Sequence, residues 1–428
     1  MNLKTNFLSS SRRMPHAIVI GGSVAGLTMA RVLADYADRV TIIERDILPD
    51  TPEFRRGAPQ ARHSHILLPA GLAILEGHFP GLTAELLANG ATEVDPETEL
   101  IKTEDDAWLN DLPGLICSRP LLENVILRRT LAQPRIRLMP GYQVTGLSVD
   151  SAKKRVTGVY LSRGRAAAKH ALKAALVIDT SGRGSSAPQW LAELDYAPPG
   201  QTIVNSFAGY TSRIYRRPAD FDGAWKMMRI RDIPPYMTRR GMIFPLEGER
   251  WLVTLVGISR DYPPHDETGF LEFARSLVSP RLYQAIKTAE PLTELYSFRG
   301  TQNRLNHYEA LPHYLEGFLV SGDAVCGLSP IHARGMTSAA IGSQTLADCL
   351  AEQPHPGEVD GLARRFQQQL RRNIDEVWQT VINSDLRWPA TEVVEQVAWI
   401  KPVKPRRPRS ATVPLPLGPA PMQGQFAG

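Results

Sequence analysis

The sequence predicts an α/β protein in which a parallel sheet is joined to a separate, mostly antiparallel sheet. The first observation is an apolar strand over residues 17–20 that runs into a glycine turn and an alanine-rich helix, with a second apolar strand at 40–43. The second is that two later apolar strands end in Asp179 and in Gly322-Asp323, at the strand ends where α/β sheets bind ligands. The third is a change to alternating, aromatic-rich strands from 202 to 259.

The turn after the first strand has the spacing of a dinucleotide-binding motif. Gly21 and Gly26 fit the first and third glycines of G-x-G-x-x-G, while Ser23 holds the middle position beside Gly22. Such a turn lets backbone N–H groups approach a pyrophosphate at a helix N-terminus. The second strand stops at Glu44, where an acid can bind ribose hydroxyls. These features predict a bound dinucleotide; a strand-turn-helix without a ligand is the alternative.

The charge of the chain argues against nucleic acid as a partner. The 428 residues carry 49 basic and 44 acidic side chains, a net charge of +5. Residues 1–15 contribute +3 and residues 400–428 contribute +5, so the body between them carries −3. Because the basic excess lies in the two ends, we predict no nucleic-acid function. The ends also predict a disordered lead-in over 1–15 and a disordered Pro/Arg-rich tail over 391–428.

Cysteine, histidine and hydropathy patterns exclude several other classes of protein. Three cysteines without a C-x-x-C pair indicate neither a disulfide framework nor a zinc site. His63 and His65 could ligate a metal but have no third ligand at a suitable spacing, so we prefer a cationic loop near nucleotide phosphates. No apolar stretch approaches the roughly 18 residues that span a bilayer, and the N-terminus has no secretory h-region. The sequence thus predicts a cytoplasmic protein with no transmembrane segment and no metal site.

Local signals place several helices and one hairpin. Ser118 is a natural N-cap, and Pro120 lies in the first turn that follows it. Two apolar runs flank a Glu-Gly-Glu turn, which is typical of a hairpin. The predicted elements are a helix from Ser118 to about Leu131, a hairpin over 242–257, a helix from near Thr337 to about Leu350, and a helix from Asp360 to about Asn383.

Three motifs in a fixed order carry a resemblance to a known family. They are the turn at 21–26 with Glu44, the turn at 179–184, and the pair Gly322-Asp323. In this order they resemble the FAD-dependent monooxygenases of the para-hydroxybenzoate hydroxylase type, over roughly residues 16–390. The stretches that look most like the bacterial branch of polyether epoxidases and related natural-product tailoring enzymes are 56–65, 118–123, 179–185 and 322–326.

The resemblance implies a Rossmann-like, glutathione-reductase-like FAD-binding domain with an inserted, mostly antiparallel β-sheet substrate domain. The implied boundaries are an FAD-binding domain at 16–90, 110–200 and 300–355, a substrate domain at 90–110 and 201–299, and a C-terminal helix at 356–390.

The resemblance also assigns roles to individual residues. The glycine turn would hold the FAD pyrophosphate, Glu44 would bind the adenosine ribose, and Asp323 would contact the ribityl chain and pyrophosphate. The implied cofactor-binding residues are Gly21, Gly22, Ser23, Ala25, Gly26, Glu44, Arg45, Arg62, Arg119, Asp323, Gly335 and Met336.

By the same resemblance, the protein is predicted to be an FAD-dependent monooxygenase. NAD(P)H would be the transient reductant, and O2 would react through a flavin C4a-hydroperoxide to hydroxylate or epoxidise a small organic substrate of the natural-product type. The alternatives are another FAD-dependent oxidoreductase on the same fold (a reductase, dehydrogenase or halogenase) and a non-catalytic flavin-binding protein. The sequence has no Trp-x-Trp-x-Ile-Pro stretch, which lowers the halogenase option.

The segment 329–336 departs from the family pattern beside the predicted flavin ring. The family reads Asn-Pro-x-Tyr-Gly-x-Gly-Met, whereas this chain reads Ser-Pro-Ile-His-Ala-Arg-Gly-Met. His332 is the candidate catalytic residue, because it could orient the substrate or a proton there. A loop histidine with a local hydrogen bond is the equal alternative.

Overall fold

A computed structural model describes residues 13–94, 100–102, 114–164, 170–223, 225–355 and 357–396. Residues 1–12 of the predicted lead-in and residues 397–428 of the predicted tail lie outside the described residues, so the predictions made for them are not tested by the structure. Within the described residues, no helix is long and apolar enough to cross a membrane. The three cysteines are buried, free thiols.

The described residues form the following strands and α-helices. In chain order the strands are β1 Ala17–Ile20, β2 Val40–Glu44, β3 Ile66–Leu67, β4 Thr92–Glu93, β5 Leu100–Lys102, β6 Leu115–Ile116, β7 Ile136–Pro140, β8 Gln143–Val149, β9 Val156–Ser162, β10 His170–Lys173, β11 Leu176–Asp179, β12 Gly200–Asn205, β13 Gly209–Arg216, β14 Met227–Ile230, β15 Arg239–Leu246, β16 Arg250–Gly257, β17 Tyr296–Phe298, β18 Asn303–His307, β19 Phe318–Val320, β20 Cys326–Gly327 and β21 Glu392–Gln396. The α-helices are α1 Val24–Leu33, α2 Pro69–His78, α3 Leu82–Ala88, α4 Arg119–Leu131, α5 Ala187–Glu193, α6 Glu267–Arg275, α7 Arg281–Ile286, α8 Gly335–Ala351, α9 Leu362–Asn373 and α10 Asp375–Asp385.

The predicted parallel sheet is present, with strand order β19-β11-β1-β2-β7. Every residue of β1, β2 and β11 is buried, because helices cover the sheet and the strands need apolar side chains on both faces. Helix α1 packs against α4 and α8. Since all five strands run in the same direction, the carboxyl ends of β1, β11 and β19 meet at one edge.

The second large sheet has six strands in the order β17-β13-β16-β15-β14-β5 and is antiparallel except between β14 and β5. The predicted hairpin is confirmed as β15 and β16, paired from Arg239↔Gly257 to Leu246↔Arg250. Its turn places Gly248 at φ +72° and Glu249 at φ +53°, the left-handed conformations that suit the twist of a tight hairpin. The α/β prediction with a separate, mostly antiparallel sheet is therefore confirmed.

The predicted start of the tail is wrong, because the first residues of that segment belong to a four-stranded sheet, β20-β18-β12-β21. The sequence predicts a disordered tail from 391, whereas Glu392–Gln396 forms β21 and pairs with β12. All five side chains of β21 are exposed, so the strand is stabilised by backbone hydrogen bonds. Because none of these side chains is buried, the sequence shows no alternating apolar pattern that would predict a strand.

The prediction of a single helix at 356–390 is also wrong, because the chain forms two helices there. Helices α9 and α10 are separated at Ile374, whose side chain is 1% exposed. Asp375 and Glu376 lie in the first turn of α10, where negative charge is favourable. The helix predicted from Ser118 is confirmed as α4, in which Ser118 Oγ accepts a hydrogen bond from the N–H of Leu121.

Candidate functional site

One cavity of about 500 Å³ lies where the strand tips of the parallel sheet face the six-stranded sheet. Its size is within the usual range for ligand sites, roughly 300–1,000 Å³. Ten of the residues predicted to bind the cofactor line it: Gly21, Gly22, Ser23, Ala25, Glu44, Arg45, Arg119, Asp323, Gly335 and Met336.

The dinucleotide cradle, residues 21–26 with Glu44, has no room for side chains at two of its glycines. Gly21 has φ +106°, and a Cβ there would lie 2.8 Å from the carbonyl oxygen of Thr180. A Cβ at Gly26 would lie 1.8 Å from the carbonyl oxygen of Gly21. Gly26 does not line the cavity and instead lets α1 begin directly against the turn. The third glycine of the motif is therefore a packing requirement.

Glu44 stands at the end of β2 and is tied to the turn. The N–H of Gly22 donates to Glu44 Oε2 at 2.6 Å, and the N–H of Asp46 donates to Glu44 Oε1 at 2.9 Å. The residue is 5% exposed and still lines the cavity. These bonds hold the carboxylate at the place where the motif requires an acid.

Ser23, the unusual residue of the motif, belongs to a buried network that the sequence did not reveal. Ser23 Oγ donates to Glu123 Oε1 at 2.5 Å, and Arg119 Nη2 donates to the same carboxylate oxygen at 2.8 Å. Arg55 approaches the other oxygen of Glu123 at 3.4 Å and donates to Asp46 Oδ2 at 2.9 Å. Burial raises the pKa of Glu123, but Arg119, Arg55 and the Ser23 bond outweigh it, so the pKa of the carboxyl is lowered. Glu123 therefore fixes Arg119 beside the turn.

The later strand tips contribute Asp179 and Asp323 in different ways. Asp179 is fully buried and serves the turn, because its carboxylate accepts bonds from Ser181 N at 2.8 Å and from Ser185 Oγ at 2.5 Å. Asp323 lines the cavity with its side chain 45% exposed, and Arg183 Nε lies 3.7 Å from its Oδ2. The surrounding protein desolvates Asp323 and raises its pKa, an effect that Arg183, Arg119 and Arg304 oppose. Asp323 is thus the acid of these two that faces the cavity.

Two of the predicted site residues, Arg62 and His332, do not line the cavity. The guanidinium of Arg62 lies over the rings of Phe54 and Tyr296, at 4.9 and 4.3 Å, and does not line the cavity. His332 is 8% exposed and does not line it either. Its Nε2 lies 2.8 Å from Asp385 Oδ1, so this hydrogen bond joins it to a residue 53 positions along the chain and not to a local group.

Asp385 connects the segment 329–336 to the C-terminal helices. Asn303 Nδ2 donates to Asp385 Oδ2 at 2.6 Å, and the N–H of Ser329 donates to Asn303 Oδ1 at 2.6 Å. Asp385 is 1% exposed, so its charge is compensated within the protein by His332 and these bonds. Asp385, the last residue of α10, is therefore hydrogen-bonded to the segment that leads to Gly335 and Met336, directly through His332 and indirectly through Asn303.

The opposite part of the cavity is a sheet-side chamber lined by Ile66, Tyr210, Met242, Thr254, Val256 and Phe298. Next to it runs a hydroxyl chain formed by His63, Ser212, Thr254 and Ser64. His63 Nδ1 lies 2.9 Å from Ser212 Oγ, Ser212 Oγ lies 2.7 Å from Thr254 Oγ1, and Thr254 Oγ1 lies 2.6 Å from Ser64 Oγ. Sequence reasoning missed this chain, because it joins a loop to two strands of the distant sheet.

The two histidines of the loop are neutral at physiological pH. Burial lowers the pKa of His63 to about 3, and the charges of His65 and Arg62 act in the same direction. Burial and Arg119 lower the pKa of His65 to about 4. In the described part of the chain, no group of three or more His, Cys, Asp or Glu side chains is placed to hold a metal ion.

The residues present fit FAD. Gly21 and Gly22 line the cavity without a Cβ, so a ligand can approach their backbone, and Glu44 lies beside them at the tip of β2, where the motif places an acid. Helix α8 begins at Gly335 on the same cavity, so its N-terminal N–H groups can meet the polar edge of a ring system.

The fold and the cavity together define a dinucleotide-binding protein whose site fits FAD. Residues 16–56 match the family model described as pyridine nucleotide-disulphide oxidoreductase. The chain is 30% identical over 340 residues to Protein Rv3254 of Mycobacterium tuberculosis (strain ATCC 25618 / H37Rv), an alignment that covers 76% of this chain and 71% of the relative. The chain belongs to the family of Protein Rv3254.

Solved structures of flavoproteins share the fold at low sequence identity. The myxobacterial chondrochloren halogenase CndH, an FAD-dependent halogenase, superposes with a TM-score of 0.61 at 18% identity, over 87% of this chain and 82% of its own. The tetrameric form of 2-methyl-3-hydroxypyridine-5-carboxylic acid oxygenase gives 0.59 at 19% identity, over 89% and 95%. The pqsL protein of Pseudomonas aeruginosa gives 0.60 at 16% identity, over 88% and 95%. The fold is thus shared with an FAD-dependent halogenase, an oxygenase and a protein described as a probable FAD-dependent monooxygenase.

Proposed function

We propose that the protein is an FAD-dependent monooxygenase that hydroxylates or epoxidises a small organic substrate with NAD(P)H and O2. The observation that carries the proposal is that one cavity is lined both by the dinucleotide cradle and by the sheet-side chamber. A cofactor held in the cradle would therefore share its space with a molecule held against the sheet. This arrangement suits chemistry in which the protein orients a substrate at a cofactor.

When bound, FAD would supply the redox chemistry and the activation of O2. Backbone N–H groups of the turn 21–26 would hold the pyrophosphate, and Glu44 would bind the ribose. Arg45 and Arg119 would lie along the dinucleotide, and Asp323 would accept from its sugar-like chain. The chamber would orient the substrate and keep it apart from bulk water. We assign supporting roles to Gly26 and Arg62, since both lie outside the cavity lining.

Oxygen transfer of the tailoring-enzyme type is the finer part of the proposal. His63, Ser64 and His65 belong to the stretch 56–65 that resembles the polyether epoxidase branch, and all three line the cavity. His332 is assigned a positioning role, because its contact is with Asp385.

The proposal is tested on the purified full-length protein. We expect a yellow protein whose flavin is released as FAD on denaturation, and O2-dependent consumption of NADH or NADPH that rises with members of an aromatic and polyene panel. The product should gain the mass of one oxygen atom. A halogenated product formed only with added halide would replace the proposal by a halogenase, and a colourless protein that takes up no FAD would contradict the class.

Replacing Asp323 by alanine tests the cofactor assignment. We expect FAD to bind roughly tenfold more weakly or worse, because a charge-assisted hydrogen bond contributes about 1.5–3 kcal/mol. The stability of the flavin-free protein should change little, since the carboxylate is 45% exposed and its ion pair with Arg183 is long, at 3.7 Å. FAD content after gel filtration and a titration of the stripped protein give both quantities. Asp360→Ala is the control, since Asp360 is 60% exposed on the surface; equal FAD affinity in the two variants would refute the role of Asp323.

A further inference from the structure

The sheet-side chamber is apolar and aromatic on most of its surface. Ile66, Met242 and Val256 provide aliphatic or thioether contacts. Tyr210 and Phe298 form an aromatic wall with His63: the Tyr210 and His63 rings meet edge-on at 4.5 Å, and the Tyr210 and Phe298 rings lie 5.6 Å apart. A wall of this kind favours an apolar molecule with a ring or extended π system.

The described charged residues of the cavity lining lie on elements outside the six-stranded sheet, and of these Arg183 acts electrostatically on the Tyr210 phenol. They are Glu44, Arg45, Arg55, Arg119, Arg183 and Asp323, all on strand tips, turns and the helix around the cradle. The described lining residues contributed by the six-stranded sheet are all uncharged. His63 does not supply a charge at neutral pH, because burial keeps it unprotonated. A charged substrate group would thus lose its water without gaining an opposite charge from these residues.

One polar group of the chamber is well placed to meet a ligand. Ser64 is half-buried, lines the cavity and ends the hydroxyl chain. If His63 Nδ1 donates to Ser212, then Ser212 can donate to Thr254 and Thr254 to Ser64. The Ser64 hydroxyl can then donate its own proton to a ligand in the cavity. If His63 Nδ1 accepts, the order reverses and Ser64 offers a lone pair. Ser64 can therefore act as donor or acceptor without any charged state.

Tyr210, which also lines the cavity, carries a second neutral polar group. Its Oη is buried and has no hydrogen-bond partner among the described residues. Burial raises the pKa of the phenol, so it stays protonated. A buried hydroxyl without a partner is unfavourable, and it gains a partner if a ligand oxygen reaches it.

We infer that the substrate is an uncharged, largely apolar molecule with a ring or extended π system and a hydroxyl or carbonyl oxygen, and that Ser64 Oγ binds this oxygen. The inference rests on the proposed function and names the substrate class of that site. Ser64 is a specificity-determining residue, and the sheet supplies the apolar surface that holds the rest of the molecule.

The test measures binding by isothermal titration calorimetry of the full-length protein as purified. The probes are 2-naphthol, naphthalene and 2-naphthoate, which share one ring system and differ in the polar group. We expect 2-naphthol to bind roughly fivefold to tenfold more tightly than naphthalene, the equivalent of one hydrogen bond. We expect 2-naphthoate to bind more weakly than 2-naphthol.

The Ser64→Ala variant should lose the preference for 2-naphthol while its affinity for naphthalene stays the same. Unchanged naphthalene binding also shows that the chamber is intact in the variant. Ser151→Ala removes an exposed serine in the turn between β8 and β9 and should keep the preference. The inference is overturned if 2-naphthoate binds as tightly as 2-naphthol, if Ser64→Ala keeps the preference, or if no neutral probe binds up to its solubility limit. Failure of the proposed function would show separately, in flavin content and NAD(P)H consumption.

Discussion

Replacing Gly26 by alanine should abolish FAD retention and strongly destabilise the protein. The added Cβ would lie 1.8 Å from the carbonyl oxygen of Gly21 and 2.9 Å from Thr180 Oγ1. The first contact is with backbone, so it is relieved only if α1 moves away from the turn. We expect a loss of about 3 kcal/mol or more in the free energy of unfolding, at the upper end for overpacking. Urea denaturation and the FAD content of the purified variant measure both effects.

Gly77→Ala provides the matched control for this substitution. Gly77 lies in α2, and a Cβ there would have no atom within 4 Å. Alanine is the better helix former, so the control should be neutral or more stable by up to about 1 kcal/mol. If Gly26→Ala unfolds at the same urea concentration as Gly77→Ala and keeps its FAD, the close packing of α1 on the turn is not required for the cradle.

Replacing Asp385 by alanine should cost about 3–5 kcal/mol of stability, the usual effect of breaking a buried pair. The substitution leaves His332 and Asn303 without the carboxylate that each of them contacts, at 2.8 and 2.6 Å. Because Asn303 also holds the N–H of Ser329, the segment 329–336 should loosen and FAD should bind more weakly. Urea denaturation and an FAD titration of the stripped protein measure the two effects.

The effect of Asp385 should depend on pH in one direction. Burial raises the pKa of Asp385, but the charge of His332 and hydrogen bonds from His332, Asn303 and Ser206 outweigh it, so its pKa is lowered. A lowered carboxyl pKa stabilises the folded state above the unfolded value of about 3.9, and this contribution disappears as the pH falls through the folded pKa. The difference in stability between wild type and Asp385→Ala should thus shrink as the pH falls below about 4.

Asp375→Ala is the control on the same helix. Asp375 pairs with Arg371 at 2.6 Å, with side chains 50% and 25% exposed, four residues apart. An exposed pair of this kind contributes at most about 0.5 kcal/mol. Equal destabilisation by the two substitutions would show that Asp385 has no special role in holding the segment 329–336.

Short-range signals predicted much of the fold. The turn 21–26, the Ser118 cap of α4 and the hairpin β15–β16 are each specified by residues close together in the chain, so their backbone geometry follows from local sequence. The cradle follows from the same kind of signal, because glycines at a set spacing leave the backbone open. The assignment to FAD also needed the order of three motifs along the chain and the resemblance that this order carries.

Local signals were least reliable where backbone pairing or a distant partner decides the outcome. Strand β21 has exposed side chains and is ordered by pairing with β12, almost 200 residues earlier in the chain. The break between α9 and α10 falls at a buried Ile374 that reads as helical in the sequence. In both cases the sequence pattern lacks the information, because the deciding contact is made by another part of the chain.

The sequence by itself determined the class of site: a glycine turn with an acid at the next strand tip specifies a dinucleotide cradle through local backbone geometry. Only the tertiary structure decided which side chains face the ligand. His332 lies against Asp385, 53 residues away, and Ser64 meets Thr254 across 190 residues. Such contacts depend on which strands and helices pack together, and no spacing along the chain encodes them. The chemistry of the chamber opposite the cradle is therefore a property of the fold.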